Sequence, residues 1–403
     1  MKYLIVLGDG MADRPLTELK GMTPLEYAAT PNFDKLAAKS SVGLVKTVPD
    51  GMKPGSDVAN LSVLGYDPKR YYSGRSPLEA LSIGVIMKPG DVAVRTNLVT
   101  LSDEEKLEDK TMLDYSAGEI PTEEARKIIE SVEEELGSEK LKFYSGVSYR
   151  HCLIETNGTT ATKLTPPHDI SGKKVGEYLP QGEMGGEMRE LIRRSGEILA
   201  EHPVNVKRRA EGKRPATHVW FWGAGTKPTL DTFFSKFGLK GAIVSAVDLL
   251  KGIAKGTEMY APCVKGATGT LSTNWKGKVE AVKDCFKSGI DYVYLHFEAP
   301  DECGHQGDIP GKIAAIEKVD EALGELKEFL DSTGEDYKIA VLPDHPTPIE
   351  VRTHTSSPVP YMIYDSRKPV DSGLKYNEKD AQNGEYLDNG QMIIAKMTED
   401  KNA

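Results

Sequence analysis

The chain opens on an apolar run, Tyr3-Leu4-Ile5-Val6-Leu7, that reads as a buried strand, and Gly8-Asp9-Gly10 follows it directly. Thr23-Pro24 then starts a helical stretch, and Thr30-Pro31-Asn32 caps a second one that carries Phe33, Leu36 and Ala37 on one face. Towards the other end, Tyr292 to Phe297 reads as a strand. After Pro310-Gly311, Ile316, Val319, Leu323, Leu326 and Leu330 recur at three- and four-residue spacing and predict a helix. Ile339-Ala340-Val341-Leu342 and Val359 to Ile363 are further strands. Repeated strand-helix-strand units imply an α/β fold with a mostly parallel sheet covered on both faces.

The middle of the chain has a different rhythm. It runs through a strand at Val92 to Val99, a helix from Thr122 to Leu136, strands at Lys142-Phe143-Tyr144 and Tyr149 to Ile154, and a long helix from Gly182 to Glu201. An inserted, smaller α+β domain at 90–230, with 1–89 and 231–403 forming one discontinuous domain, accounts for this change. No repeat of solenoid period and no low-complexity segment occurs.

Composition narrows the classes. A 403-residue chain with 28% charged and 39% hydrophobic residues is an ordinary folded protein, long enough for two domains. The first apolar run is too short for a signal peptide, and no stretch reaches the roughly 18 apolar residues that span a bilayer. Cys152, Cys263, Cys285 and Cys303 are scattered without CxxC spacing, which points to a reducing cytoplasm. A formal net charge of -10 argues against nucleic acid as a partner and leaves room for a small phosphorylated substrate held by cations in a cleft. Oligomeric state is not legible.

Four polar clusters carry the chemistry. Asp9 follows the first strand, Asp301 follows the Tyr292 strand and is joined by His305, and Asp344-His345 follow the Ile339 strand, with His354 nine residues further on. Open parallel sheets bind ligands at the carboxyl ends of their strands. Singly, each cluster has a plain reading: a turn for Gly8-Asp9-Gly10, an N-cap or ST-turn for Ser56 in an otherwise helix-poor loop, a helix-face ion pair for Asp301 and His305. Jointly, they supply oxygen and imidazole donors for two divalent metal ions, with Mn expected and Zn, Co or Mg as alternatives. Ser56, a lone serine beside them, has the character of a metal-activated nucleophile for phosphoryl transfer.

Leu7 to Asp13, Gly55 to Asn60, Asp301 to His305 and Asp344-His345 through His354 resemble the cofactor-independent phosphoglycerate mutases of the alkaline phosphatase superfamily, in their shorter archaeal-type branch. Gly74 to Glu79, Asp114 to Gly118, Phe221 to Gly225 and Gly266 to Gly269 extend the resemblance over essentially the whole chain. It implies an alkaline-phosphatase-like domain with an inserted substrate domain. It implies one metal on Asp301, His305 and His354, and a second on Asp9, Asp344, His345 and the Ser56 oxygen. The reaction implied is interconversion of 3- and 2-phosphoglycerate through a phosphoserine, without 2,3-bisphosphoglycerate. The rival readings are a homoserine kinase-like phosphotransferase of threonine biosynthesis, a simple phosphatase, and a metal-stabilised binding protein without turnover.

The substrate carboxylate needs a cation, and Arg95 and the adjacent Arg150-His151 are the candidates, because guanidinium forms bidentate pairs with carboxylates. An ordinary salt bridge is the competing role for each. His168-Asp169 and Lys227 are further candidates.

Overall fold

The computed structural model describes residues 1–399. Its contacts divide the described chain into two compact units, Met1–Tyr72 with the described residues from Thr229 onward, and Ser73–Pro228. In chain order the strands are β1 (Lys2–Gly8) and β2 (Ser41–Val45), then β3 (Val92–Leu101), β4 (Met112–Asp114), β5 (Leu141–Tyr144), β6 (Arg150–Glu155) and β7 (His218–Thr226). They continue as β8 (Gly241–Val244), β9 (Tyr292–Phe297), β10 (Tyr337–Leu342), β11 (Val359–Asp365) and β12 (Glu385–Leu387). The helices that matter to the site are α1 (Pro31–Ala37), α2 (Ser56–Val63), α3 (Arg75–Ser82), α4 (Thr122–Leu136), α5 (Gly185–Ala200), α6 (Trp275–Lys287), α7 (Ala299–Gln306) and α8 (Ile309–Thr333).

The first unit is built on a seven-stranded sheet in the order β12-β2-β11-β10-β1-β9-β8. β1 lies between β10 and β9, parallel to both, and β8 is parallel to β9. These central strands are mostly apolar because both faces are covered: Leu4 and Val6 join the core made with α1, α6 and α8, and the opposite-facing Ile5 and Leu7 are equally buried. β11 departs from the expected parallel pattern and runs antiparallel to both β10 and β2. The segment joining it to β10 contains no helix, and a parallel return requires a crossover.

Local signals account for the helices, with one exception. Thr23 caps its helix as expected, in a capping box with Glu26. Thr30 makes no such bond at the start of α1; the Asp320 carboxylate of α8 does so instead, accepting from Asn32 N at 3.3 Å and Phe33 N at 2.6 Å. A tertiary partner has taken over a local role.

The second unit is an antiparallel sheet in which β3 pairs with β4, β6 and β7, and β5 extends from β6. α4 and α5 cover one face and supply Ile128, Val132, Ile192 and Leu199 to its core. The unit begins at Ser73 rather than near residue 90, because α3 packs on β3 and β7.

One buried ion pair ties together the loops that leave β1 and β10. Lys312 of α8 has no exposed side-chain surface and donates to Asp13 Oδ2 at 2.7 Å and to the Thr347 carbonyl at 2.9 Å. Asp13 also accepts from Ile349 N. Replacing Lys312 by Met leaves a buried carboxylate unpaired, so the variant is expected to lose about 3–5 kcal/mol of stability in chemical denaturation. Lys312→Met combined with Asp13→Leu, which removes both charges, should recover most of that loss. A single variant as stable as the parent would show that the pair does not hold these loops.

Candidate active site

Asp9, Asp301, Asp344 and His345 arrive at the carboxyl edge of the first unit's sheet from three neighbouring strands. Asp9 directly follows β1, Asp301 and His305 lie one turn apart on α7 just after β9, and Asp344-His345 follow β10. Those four are nearly or fully buried, and His305 is half-buried. Gly10 makes the approach possible: its φ is +60°, and a Cβ there would stand 2.6 Å from Asp301 Oδ1 and 2.7 Å from Asp301 Cα.

The first set of donors is Asp301, His305 and His354. His305 Nε2 is 3.2 Å from Asp301 Oδ2, His354 Nε2 is 3.5 Å from Asp301 Oδ1, and the two Nε2 atoms face each other at 3.0 Å. His305 Nδ1 lies 3.0 Å from the Arg352 carbonyl, a partner that can only accept, so Nδ1 carries a proton, and Nε2, which faces Asp301, is the nitrogen that would turn a lone pair inward on losing its own. Two imidazole Nε2 atoms and a carboxylate converging on one point would suit a divalent cation once both rings are neutral. Burial raises the Asp301 carboxyl, but hydrogen bonds from His305 and His354 and the nearby His345 hold it well below its usual range. The bond to Asp301 correspondingly lifts His305 to about 9.

The second set gathers around His345. Its Nε2 lies 3.2 Å from Ser56 Oγ, 3.4 Å from Asp344 Oδ2 and 3.6 Å from Asp9 Oδ1. Asp9 Oδ1 is fully buried and accepts no hydrogen bond from any described residue. Burial, followed by the charges of Asp344, Asp301 and Glu298, pushes the Asp9 carboxyl well above its usual value. Carboxylates packed against one another, with one oxygen left without a donor, form a site short of positive charge. These residues fit a bound divalent ion.

Ser56 does not sit in a loop, as the surrounding residues suggested, and does not cap a helix. Gly55 is the N-cap and Ser56 is the first residue of α2, so its hydroxyl is free to face His345 at the positive end of an eight-residue helix.

Several supporting residues were not singled out from sequence. Asn60, fully buried one turn into α2, donates to Ser56 O and to Asp344 Oδ2, each at 2.8 Å, and accepts from Tyr294 OH at 2.6 Å. Thr347 donates to Asp301 Oδ1, and Gly10 N donates to Asp344 Oδ1 at 3.2 Å. His296 and Glu298, at and just beyond the end of β9, lie within ligand distance of Asp9. The signal available was alternation: Tyr292, Tyr294 and His296 are polar-tipped residues on one face of β9, and Val293, Leu295 and Phe297 on the other are apolar.

The substrate candidates lie in the second unit and separate there. Arg95 and Arg150 share one face of the β3–β6 pair, since Arg95 is in register with Cys152, two residues beyond Arg150. Arg95 bonds Glu79 at 2.9 Å and stacks over Trp222 at 3.9 Å, and Arg75 bonds the other oxygen of Glu79 at 2.8 Å. Two guanidinium groups thus bond Glu79, and Arg150 adds a third positive charge nearby. His168 is edge-on to Trp222 at 5.2 Å and belongs to this face, whereas Lys227 is exposed beyond β7. His151 does not join them. It points to the opposite face, its Nδ1 accepts from Gly146 N at 3.1 Å, and burial depresses it to about 3, so it is a neutral core residue.

Comparison with known proteins agrees over nearly the whole length. The family described as 2,3-bisphosphoglycerate-independent phosphoglycerate mutase matches residues 37–205, and the type I phosphodiesterase / nucleotide pyrophosphatase family matches 181–348. A Methanosarcina mazei protein named 2,3-bisphosphoglycerate-independent phosphoglycerate mutase is 48% identical over 387 residues, which is 95% of this chain and 96% of its own. Among solved structures, a Pyrococcus horikoshii protein shares 32% identity and a TM-score of 0.81 over 100% of this chain and 97% of its own. The cofactor-independent phosphoglycerate mutase from Thermoplasma acidophilum shares 26% identity and a TM-score of 0.67 over 99% of both. On this evidence the chain belongs to the 2,3-bisphosphoglycerate-independent phosphoglycerate mutase family.

Proposed function

We propose that this chain is an isomerase that interconverts 3-phosphoglycerate and 2-phosphoglycerate without added 2,3-bisphosphoglycerate, with Ser56 carrying the phosphoryl group between the two hydroxyls. The observation that supports this most directly is the Ser56 hydroxyl, 3.2 Å from His345 Nε2 and beside the buried Asp9 and Asp344 carboxylates. Asp301, His305 and His354 would hold one divalent ion, and Asp9, Asp344, His345 and Ser56 a second, with manganese the expected metal. When bound, such ions supply the positive charge that lowers a serine hydroxyl's pKa and offsets charge on a transferring phosphoryl group.

The protein's own residues do the positioning. The N-terminal end of α2 favours the negative charge that Ser56 acquires on activation and on phosphorylation. Asn60 bridges the Ser56 backbone and Asp344, so nucleophile and ligand keep one geometry. The face that carries Arg95, Arg150 and Arg75 offers guanidinium groups that suit the carboxylate of glycerate. A phosphoserine must be kept from water during transfer, which fits a cytoplasmic mutase and distinguishes it from a phosphatase.

Phosphorus NMR of the manganese-loaded protein with 3-phosphoglycerate alone should show 2-phosphoglycerate appearing to equilibrium. Release of inorganic phosphate only, or no turnover, would overturn the mutase reading. Ser56→Ala should lower turnover by about 10⁴-fold or more while leaving the protein folded. Mass spectrometry of quenched wild type should find one phosphate on Ser56, and substantial turnover by the variant would exclude Ser56 as the carrier.

Metal affinity should depend on pH with a definite sign. His305 is raised to about 9 in the metal-free protein and must lose its proton to coordinate, so affinity should fall by about one decade per pH unit below that point. The same shift means that His305 stabilises the metal-free fold fully below its ordinary value of 6.5 and progressively less as pH rises towards 9. Calorimetric titration with Mn²⁺ between pH 6 and 9 checks this, and a flat profile would remove His305 from the ligand set.

A further inference from the structure

His296 is buried in β9, carries no role in the scheme above, and touches Asp9. Its two ring nitrogens have different partners. Nδ1 is 3.2 Å from Ser245 Oγ, and Nε2 is 3.0 Å from Asp9 Oδ2. Ser245 Oγ in turn accepts from Val247 N at 3.0 Å. Among the described residues, His296 Nδ1 is the acceptor within reach of the buried Ser245 hydroxyl proton, so the hydroxyl donates to Nδ1 and the ring proton lies on Nε2. The bonds then run in one direction: Val247 N–H to Ser245, Ser245 O–H to His296, His296 Nε2–H to Asp9 Oδ2. Every donor has one acceptor.

The consequence falls on the other oxygen of Asp9. With Oδ2 held by His296, Oδ1 is the one that faces His345 at 3.6 Å and accepts no hydrogen bond. A matching prop stands two residues away on the same face of β9, where Tyr294 OH donates to Asn60, and Asn60 donates to Asp344 Oδ2. Resting on the two-ion reading given above, we propose that His296 is a neutral positioning residue that fixes the Asp9 carboxylate for the ion shared with Ser56, and that it is not itself a ligand. A hydrogen bond to a ligating carboxylate sets its orientation and its donor strength, and losing such a partner typically costs 10–100-fold in metal affinity.

The alternative is concrete, because Asp9, His296 and Glu298 lie close enough to hold an ion of their own. In that case Nε2 would carry a lone pair and Nδ1 the proton, and the Ser245 hydroxyl would have no acceptor.

Calorimetric titration of the metal-free full chain with Mn²⁺ separates these cases. Wild type should take up two ions. His296→Phe should weaken one binding event by about 10–100-fold and leave the event at Asp301, His305 and His354 unchanged. His296→Gln, whose amide can donate from near the Nε2 position, should stay within a few-fold of wild type, and Ser245→Ala should show a smaller loss at the same event. Nitrogen-15 NMR of histidine-labelled, zinc-loaded protein should show His296 as the Nε2–H tautomer. Should His296→Phe not fold, His296→Gln against His296→Asn, which places its amide nearer Nδ1, makes the same comparison.

An unchanged titration in both His296→Phe and His296→Asn, a uniform weakening of both events, or an Nδ1–H tautomer would overturn the proposal. So would a third ion in wild type that is lost in His296→Gln. Asp9→Asn serves as the control for the underlying reading and should lose the same event outright. If it still takes up two ions with wild-type affinity, the ion assignment itself has failed, a result distinct from any behaviour of the His296 variants.

Discussion

Three carboxylates held out of water at one sheet edge set the terms for the rest of the structure. Asp9, Asp301 and Asp344 are each at most 4% exposed, and burial and mutual repulsion together make the charged form of Asp9 costly. Hydrogen bonds cannot compensate fully, since Asp9 Oδ1 has no donor among the described residues. The fold keeps the groups there by setting backbone and side-chain donors against them: Gly10 N on Asp344 Oδ1 and Asn60 on its Oδ2, Thr347 on Asp301 Oδ1, His296 on Asp9 Oδ2. Asp9 Oδ1 faces His345 with no such donor among the described residues. What would be a defect in a structural core is the condition for binding doubly charged ions.

That arrangement requires rigidity behind it, which comes from elements without ligands. Lys312 of α8 grips both the Asp13 loop and the Thr347 carbonyl, so the segments leaving β1 and β10 cannot drift independently. β9 supports Asp9 through His296 and Asp344 through Tyr294 and Asn60. Such supports act at one remove and confer no chemistry themselves.

Much of this was legible in the sequence because period and chemistry coincided. The runs at Tyr3 to Leu7, Tyr292 to Phe297 and Ile339 to Leu342 are buried on both faces and therefore largely apolar, and a polar cluster after each marks the carboxyl edge. Ser56 was found through its neighbours, but its helix was not, since α2 is short and opens on Gly55 without a side-chain cap. His151 misled because proximity in sequence to Arg150 is opposition in a strand. Asn60 and Lys312 were silent for another reason: their roles are fixed by partners hundreds of residues away, in contacts that no local window contains. Thr30 shows the same limit in reverse, where Asp320 displaced a capping role that the local pattern assigned correctly on its own terms.

The reversal of β11 explains how His354 reaches the site at all. A parallel strand after β10 would begin at the opposite edge of the sheet, and the chain would have to leave the carboxyl edge and cross over through a helix to reach it. The segment from Pro343 to Pro358 contains no helix, and β11 pairs antiparallel to β10, so this loop both starts and finishes at the carboxyl edge. Asp344 and His345 at its beginning and His354 near its end are thereby confined to the same end of the sheet, with the isolated bridges from Met11 and Ala12 to Pro346 pinning its first turn beside Asp9. One loop can then contribute to both sets of donors: His345 beside Ser56, and His354 against His305 at 3.0 Å. The break in the parallel pattern is therefore what brings the two sets of donors together, since a regular doubly wound sheet would have carried His354 away.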